Sequence, residues 1–269
     1  MTRMKAGQYI VDRFLPEFVT MAATSRSIDV EVMSDGWVIR LERNEARRWV
    51  VGYQFDLNTT AASAVAQDKV ATYLALTRAG IAAVPHVLVR STPHEKDLAN
   101  HIRGVFEGPL VIKPLDGTGG RGVQKVADVD AAVAVIRDSE EVAWAAAPWY
   151  DIAAEYRAVV LDGQLLLAYE KTQPVELHGL RFYNLGLGAV AQDVMDERQL
   201  AAVTTIAQST CAQLGVRLAA VDIVRVASGE LLVLEVNDGI MMENYARQSA
   251  IYKRRAAKVY DAVMSAMFA

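Results

Sequence analysis

The sequence predicts an α+β protein in which antiparallel hairpins alternate with amphipathic helices, and three observations carry that prediction. Strand-like alternation recurs on both sides of short glycine-containing turns at Asp35-Gly36, Asp162-Gly163 and Ser228-Gly229. Helical spacing of apolar residues separates the hairpins, most plainly over residues 196–214 and from Glu243 onward. A chain of 269 residues with 52% hydrophobic content can bury a substantial core, and its length suits two or three closely packed subdomains.

Residues 1–58 read as a small domain of strands with one helix: IDVEVMSDGWVIRLE alternates about Asp35-Gly36, and RRWVVGYQFDLN continues as strand. Over residues 59–79, Val70, Tyr73, Leu74 and Thr77 repeat at helical spacing and Gly80 stops the helix, which puts Lys69 near its start. A short strand ending at Val89, a polar helix over 93–103, a hairpin, and an alanine-rich helix over 129–137 follow. VAWAAAPWY, residues 142–150, reads as a buried extended connection. EYRAVVLDGQLLLAYEK is two strands, TQPVELHGLRFYNLGLGAV a loop, and LAAVDIVRVASGELLVLEVND a last hairpin before a long amphipathic helix from Glu243.

Composition excludes several functions. With 28 basic against 32 acidic residues, a net charge of −4 and no long basic run, the chain lacks a nucleic-acid face. A lone cysteine, Cys211, precludes an internal disulfide and reads as a core residue in a reducing compartment. No apolar run reaches bilayer length and no signal-peptide h-region opens the sequence, so a cytoplasmic protein without a membrane partner is expected. His86, His94, His101 and His178 do not cluster and read as surface or loop residues rather than zinc ligands.

The most informative stretch is LVIKPLDGTGGRGVQKVAD, residues 110–128, in which an apolar strand runs into a loop holding Gly117, Gly119, Gly120 and Gly122. With side chains nearly absent, backbone N–H groups can close on an anion, and phosphate is the obvious candidate. Gly117, Gly119 and Gly122 satisfy GxGxxG, but that fingerprint needs a helix after the loop, and GVQKVAD alternates as a strand. No Lys-Ser or Lys-Thr pair follows the last glycine, so a Walker A loop fails as well. Strand, glycine loop and strand, with Lys113 on the incoming strand, describe a flap folding over phosphates; the alternative is a hairpin turn without a ligand.

The last hairpin is acidic. If Ser228 and Gly229 form a two-residue turn, Asp222 faces Glu235, and alternation puts Asn237 on the face of Glu235. Like charges directly opposite repel, so something positive belongs between them. Hard oxygen ligands in incomplete number suit Mg²⁺, with Mn²⁺ as an alternative; otherwise these are exposed residues of an edge hairpin.

An IKP strand with a glycine loop, then EYR, then VDIV and LEVN, resembles the ATP-grasp superfamily of carboxylate-amine ligases, in particular the D-alanine:D-alanine ligase and ribosomal-protein glutamate ligase branch. The resemblance runs from about Gln67 to Asn244. It implies two α+β lobes gripping ATP, here 67–147 with the flap and 148–269 with the metal site, preceded by a small N-terminal domain at 1–66. It also implies phosphate-binding lysines at Lys69 and Lys113, a flap at Asp116, Gly117, Thr118, Gly119, Gly120, Arg121 and Gly122, and a ribose contact at Glu155. Metal ligands at Asp222, Glu235 and Asn237 follow, the trio that the hairpin geometry also selects. Arg157, Arg181 and Asn184 are placed by resemblance near the transferred phosphate. Three departures stand out. VAWAAAPWYDI replaces the usual adenine linker, leaving backbone groups of 144–147 as the expected contacts. The N-terminal domain is shorter than in the best-known ligases. DGIMMENY replaces the common continuation after LEVN, so Met241, Met242, Glu243 and Tyr245 either line an altered pocket or begin a helix with core methionines.

The implied reaction is phosphoryl transfer from ATP to a carboxylate, followed by attack of an amine on the acyl phosphate with release of ADP and phosphate. Positioning and charge neutralisation dominate such chemistry, which suits lysines, arginines and metal ligands rather than a Ser-His-Asp set. A closing flap at 118–121 would keep water from the acyl phosphate. A kinase acting on a hydroxyl and a non-catalytic nucleotide-binding protein are the rival readings. The substrates implied are small carboxylates and amines, an amino acid or peptide among them. The amphipathic C-terminal helix or an N-terminal strand edge leaves room for a homodimer.

Overall fold

The structure is a computed structural model that describes residues 12–90, 95–115, 117, 119–177 and 179–269. Its first elements are α1 (Leu15–Thr24), β1 (Asp29–Met33), β2 (Val38–Arg43), β3 (Ala46–Val51) and β4 (Gln54–Phe55). Next come α2 (Thr60–Gln67), α3 (Lys69–Arg78), β5 (Val87–Arg90), α4 (Glu95–Arg103), β6 (Leu110–Pro114), β7 (Gln124–Val126), α5 (Val129–Arg137) and β8 (Ala143–Pro148). The remainder is β9 (Ile152–Leu161), β10 (Gln164–Thr172), β11 (Val175–Leu177), β12 (Leu180–Phe182), β13 (Val190–Gln192), α6 (Glu197–Leu214), β14 (Leu218–Val226), β15 (Leu231–Asn237), α7 (Glu243–Ala246) and α8 (Ala250–Met267). No helix among the described residues is long and apolar enough to cross a membrane.

Packing divides the chain into a unit of residues up to Thr59 with Gly239–Ala269, and a second unit, Thr60–Asp238. The C-terminal helix, grouped by resemblance with residues 148 onward, thus packs with the N-terminal strands. The reason is an apolar seam between α1 and α8, where Phe18 stacks on Tyr260 with ring centroids 5.8 Å apart. Arg26 clasps Asp261 through bonds of 2.6 and 2.9 Å at the same seam. Glu243 accepts from the backbone N–H groups of Phe14 and Leu15 at 2.7 and 3.1 Å, capping α1 from a distant part of the chain. Met242, Glu243 and Tyr245 are buried, so the structure favours core and cap over pocket for this segment.

In the second unit, β13-β10-β9-β14-β15 form a five-stranded sheet and β5-β8-β6-β7 a four-stranded one. One face of the larger sheet packs Tyr156, Ala158, Val221, Ile223 and Val236 against α2, α3 and α6 residues such as Leu76, Val203 and Cys211. One face of the smaller sheet packs Leu110, Ile112 and Trp144 against Leu98, Ile102 and Ile136 of α4 and α5. A small cluster, with Val84, Ala147, Val224 and Leu232, joins the two sheets on their other faces. Because strand side chains alternate, those other faces receive the charged residues.

Three elements differ from the sequence expectation. VAWAAAPWY is no connection: β8 is an inner strand paired with β5 and β6. Its backbone groups are taken by sheet ladders, so residues 144–147 cannot also serve an adenine, which corrects that expectation. Within the expected loop, β11 and β12 pair as a hairpin and β13 joins the large sheet. The helix over 59–79 is two helices, divided at Asp68.

A charge cluster and a glycine loop form the candidate active site

The centre of the five-stranded sheet carries ionic side chains on the face away from the helices. Arg157 of β9 donates from Nε and Nη2 to the two carboxylate oxygens of Asp222 on β14, at 2.8 and 2.6 Å. Lys171 of β10 bonds Glu155 of β9 through Nζ and stands 2.9 Å from Asp222 Oδ1. Burial alone would raise the Asp222 carboxyl, but Arg157 and Lys171 overcome it and hold the group well below the ordinary carboxylate range. Glu155 goes the other way, pushed up by burial despite Lys171. Burial opposes the charge of Lys171 too, yet Asp222 and Glu155 raise its pKa.

At the sheet edge, Asp222 pairs with Glu235 across β14 and β15, and Ala220 with Asn237. Asn237 Nδ2 lies 3.3 Å from Asp222 Oδ2 and 3.4 Å from Glu235 Oε1. Lys69, first residue of α3, places Nζ 3.6 Å from Glu235 Oε2. Among the described residues no three His, Cys, Asp or Glu side chains form a metal-holding group. Two carboxylates and an amide do converge, with Asn237 turning Nδ2 toward both and Arg157 and Lys171 holding the Asp222 oxygens. These residue types suit Mg²⁺, whose shell is commonly completed by water and phosphate, once Asn237 presents Oδ1.

Lys113 faces this cluster from β6. It has no ion pair among the described residues, and its pKa falls to about 7, chiefly through burial and then through Lys69, with Glu235 and Glu155 opposing. His86 is its neighbour: Lys113 pairs with Ala145, Ala145 with Leu88, and His86 stands two residues before Leu88. The imidazole is 3% exposed rather than at the surface, its Nδ1 lies 2.9 Å from Val84 O, and Nε2 has no partner among the described residues. Burial and the charge of Lys113 push its pKa down to about 2, which keeps it neutral. Cys211 is buried as expected, its thiol pushed up to about 12 by burial.

Beyond Lys113 the chain turns through the glycine loop and returns as β7, with Leu110 opposite Val126 and Ile112 opposite Gln124. Gly119, Gly120 and Gly122 adopt positive φ. Gly119 O lies 3.3 Å from Asn184 Nδ2, so Asn184 touches the loop, and its Oδ1 accepts from Gly186 N. Arg121 is exposed, while Asp116 and Thr118 lie outside the described residues, as do His94 and His178.

The structure therefore gathers Lys69, Lys113, Arg157, Asp222, Glu235 and Asn237, and brings Asn184 to the loop. Two residues sit otherwise than the resemblance implies. Glu155 is 8% exposed and already bonded to Lys171, which leaves little of it for a ribose. Arg181 is paired with Asp151 at an exposed position. Two residues were missed: Lys171, whose signal was a lysine closing the apolar run LLLAYEK, and His86, for which sequence carried none.

Two sheets thus face one another, with the glycine loop and Lys113 on one and an acidic, cation-paired cluster on the other. The chain belongs to the RimK-like ATP-grasp domain family, which it matches over residues 66–262. It is 28% identical over 199 residues to the probable alpha-L-glutamate ligase of Shewanella halifaxensis, covering 72% of this chain and 41% of that protein. With the probable alpha-L-glutamate ligase of Syntrophotalea carbinolica it shares 27% identity over 194 residues, 70% of this chain and 61% of the relative. The chain thus spans well under two thirds of the Shewanella protein's length. Among solved structures, D-alanine–D-alanine ligase from Bacillus anthracis aligns with a TM-score of 0.57 at 18% identity over 78% of this chain and 68% of that one. The ATP-grasp ligase PsnB complexed with minimal precursor aligns with a TM-score of 0.61 at 16% identity over 95% and 96% of the two chains. At such identities these structures establish the fold.

Proposed function

We propose that this chain is an ATP-dependent carboxylate–amine ligase. In the proposed reaction a carboxylate oxygen takes the γ-phosphoryl group of ATP, leaving ADP and an acyl phosphate. The amine nitrogen then bonds to the acyl carbon, the C–O bond to phosphate breaks, and the amine gives up a proton. Family membership supports this reading, and one observation carries it. Four cations, Lys69 at the start of α3 and Lys113, Arg157 and Lys171 on facing sheets, gather with three carboxylates, Glu155, Asp222 and Glu235, beside a loop nearly free of side chains.

Each residue has a task in this scheme. Lys113 and Lys69 approach the triphosphate from different elements and neutralise it. Arg157, held by both oxygens of Asp222, presents a fixed guanidinium to the transferred phosphoryl group. Asp222, Glu235 and Asn237 would hold Mg²⁺, which when bound supplies further charge neutralisation at the phosphates. Glu155 fixes Lys171, and Lys171 fixes Asp222, so these two order the floor of the site rather than contact a ribose. The glycine loop, steadied by Asn184, excludes water from the acyl phosphate. The four-stranded sheet acts as the smaller lobe and the five-stranded sheet as the larger.

The carboxylate is read as belonging to an amino acid or a peptide. The name of the Shewanella relative points to glutamate, which bears carboxylates, and PsnB is an ATP-grasp ligase complexed with a minimal precursor. An ADP-release screen of carboxylates crossed with amines, including L-glutamate and short acidic peptides, tests the reading with mass spectrometry of the products. Expected is ADP and phosphate in step with a condensed product lighter than its components by one water. A phosphorylated hydroxyl product without condensation would replace the ligase reading with a kinase, and nucleotide binding without any turnover would refute both.

A further inference from the structure

Residues 59–79 carry one helical period with neither glycine nor proline inside it before Gly80, yet the chain makes two helices there. The division is built from side chains. Asp68, in extended conformation at φ −89° and ψ 109°, accepts from Val70 N and Ala71 N with Oδ1 at 2.9 and 3.0 Å. Thr72, itself buried, donates Oγ1 to Val65 O at 2.8 Å and lies 3.3 Å from Ala66 O, serving carbonyls that α2 leaves open. Gln67, the last residue of α2, directs Nε2 at both oxygens of Asp238, at 3.0 and 3.1 Å. Asp238 is 6% exposed and directly follows Asn237.

The break therefore has a cap on one side, a carbonyl partner on the other, and a tie to the end of β15. Its outcome is that Lys69 becomes the first residue of α3, with Nζ 3.6 Å from Glu235 Oε2. A cation at a helix N-terminus opposes the helix dipole, so helix stability does not explain that placement. An unbroken helix would leave the direction of Lys69 to helix packing alone. The tie instead fixes it against the strand that bears Glu235 and Asn237.

We propose that Gln67 and Asp238 are positioning residues for Lys69, a clamp that sets the phosphate lysine against the acidic hairpin. This rests on the ligase reading, in which Lys69 contacts nucleotide phosphate. In this proposal the clamp acts through Lys69 rather than by its own contact with nucleotide or metal.

The test is a double-mutant cycle read by calorimetric titration of the full chain with ADP and Mg²⁺, with thermal unfolding as a check that each variant folds. Gln67→Met, similar in shape without donors, and Asp238→Ala are each made with Lys69 present and in Lys69→Met. With Lys69 present, each is expected to weaken ADP binding about 3- to 10-fold, and in Lys69→Met to change it by less than about 2-fold. Asp238→Asn, which keeps an acceptor for Gln67, is expected to recover most of the loss. Equal losses in both backgrounds, or none with Lys69 present, would overturn the clamp while leaving the ligase reading intact. ADP binding that Lys69→Met leaves unchanged would also overturn it. Failure of the unaltered protein to bind ADP would instead remove the ligase reading, and the clamp with it.

Discussion

The two sheets of residues 60–238 both turn cations toward the space between them, but they treat the charge differently. On the large sheet Arg157 and Lys171 are locked to Asp222 and Glu155, and both basic groups have raised pKa values despite burial. On the small sheet Lys113 has no ion pair among the described residues, beside a neutral His86, and its pKa falls to about 7. A buried pair is rigid and charge-complete, whereas a half-buried cation without such a pair is held at a cost that an incoming anion can relieve. The large sheet is thus a preorganised floor, and the small sheet carries the charge that a ligand completes.

The most severe way to break this contrast is Asp222→Ala, which takes the carboxylate from Arg157 and leaves Lys171 with Glu155 alone. Loss of one member of a buried ion pair is expected to cost about 3–5 kcal/mol, with turnover abolished. Urea unfolding checks it, and a wild-type midpoint in Asp222→Ala would mean that the floor is not held by charge. Lys113→Met should do the reverse to the fold. Removing a desolvated, half-buried cation that has no ion pair among the described residues is expected to raise the melting temperature at neutral pH, while nucleotide affinity drops about 10- to 100-fold for want of a charged phosphate contact. Thermal unfolding and ADP titration on the same sample separate the two effects.

How much of this was legible in the sequence depends on strand irregularities. In the β14–β15 hairpin a two-residue turn at Ser228-Gly229 was expected, but Val226 N bonds Glu230 O, so the loop is 227–229 and the register slips by one. A second irregularity between Asp222 and Ile223, leaving Leu234 unpaired, restores it, and Asp222 faces Glu235 as expected because two deviations cancel. In the β9–β10 hairpin the turn at Asp162-Gly163 is as expected, with Leu161 opposite Gln164. A single irregularity at Leu166 then brings Glu155 opposite Lys171, where simple alternation would put Glu170. That shift hid the pairing of Lys171 with Glu155, although the lysine closing LLLAYEK was itself a signal. The bounds of α6 were read well because its signals, Asp196 at the N-cap and the left-handed Gly215 at the C-cap, are local. The break at Asp68 was not, because part of what secures it, the tie from Gln67 to Asp238, is a contact across 171 residues of chain.

A milder probe of the same contrast is pH. Lys113 has a folded pKa of about 7 against an ordinary 10.5, so between those values the folded chain binds fewer protons than the unfolded one. Its unfavourable contribution is therefore full below pH 7 and fades as pH rises through that window. Nucleotide binding favours the charged lysine and should take up a proton above pH 7, so affinity falls as pH rises. ADP titrations across that range in buffers of different ionisation enthalpy measure the uptake, and Lys113→Met should flatten the profile. A slope that survives in Lys113→Met would assign the titration to another group.

The smallest expected effect concerns how the glycine loop meets the larger lobe. A Cβ on Gly120 would stand 3.0 Å from Phe182 Cε1, whereas one on Gly119 would meet nothing within 4 Å, and both residues have positive φ. Alanine at either position bears the left-handed backbone cost of about 1 kcal/mol, so the difference between the two variants isolates the contact with the ring. Gly120→Ala should therefore lower kcat/KM for ADP release more than Gly119→Ala, and adding Phe182→Ala should bring the two together. Equal losses that Phe182→Ala does not alter would mean that the loop shuts without leaning on β12. Its order would then come from the backbone alone, and the contrast between a paired floor and a bare roof would stop at Lys113.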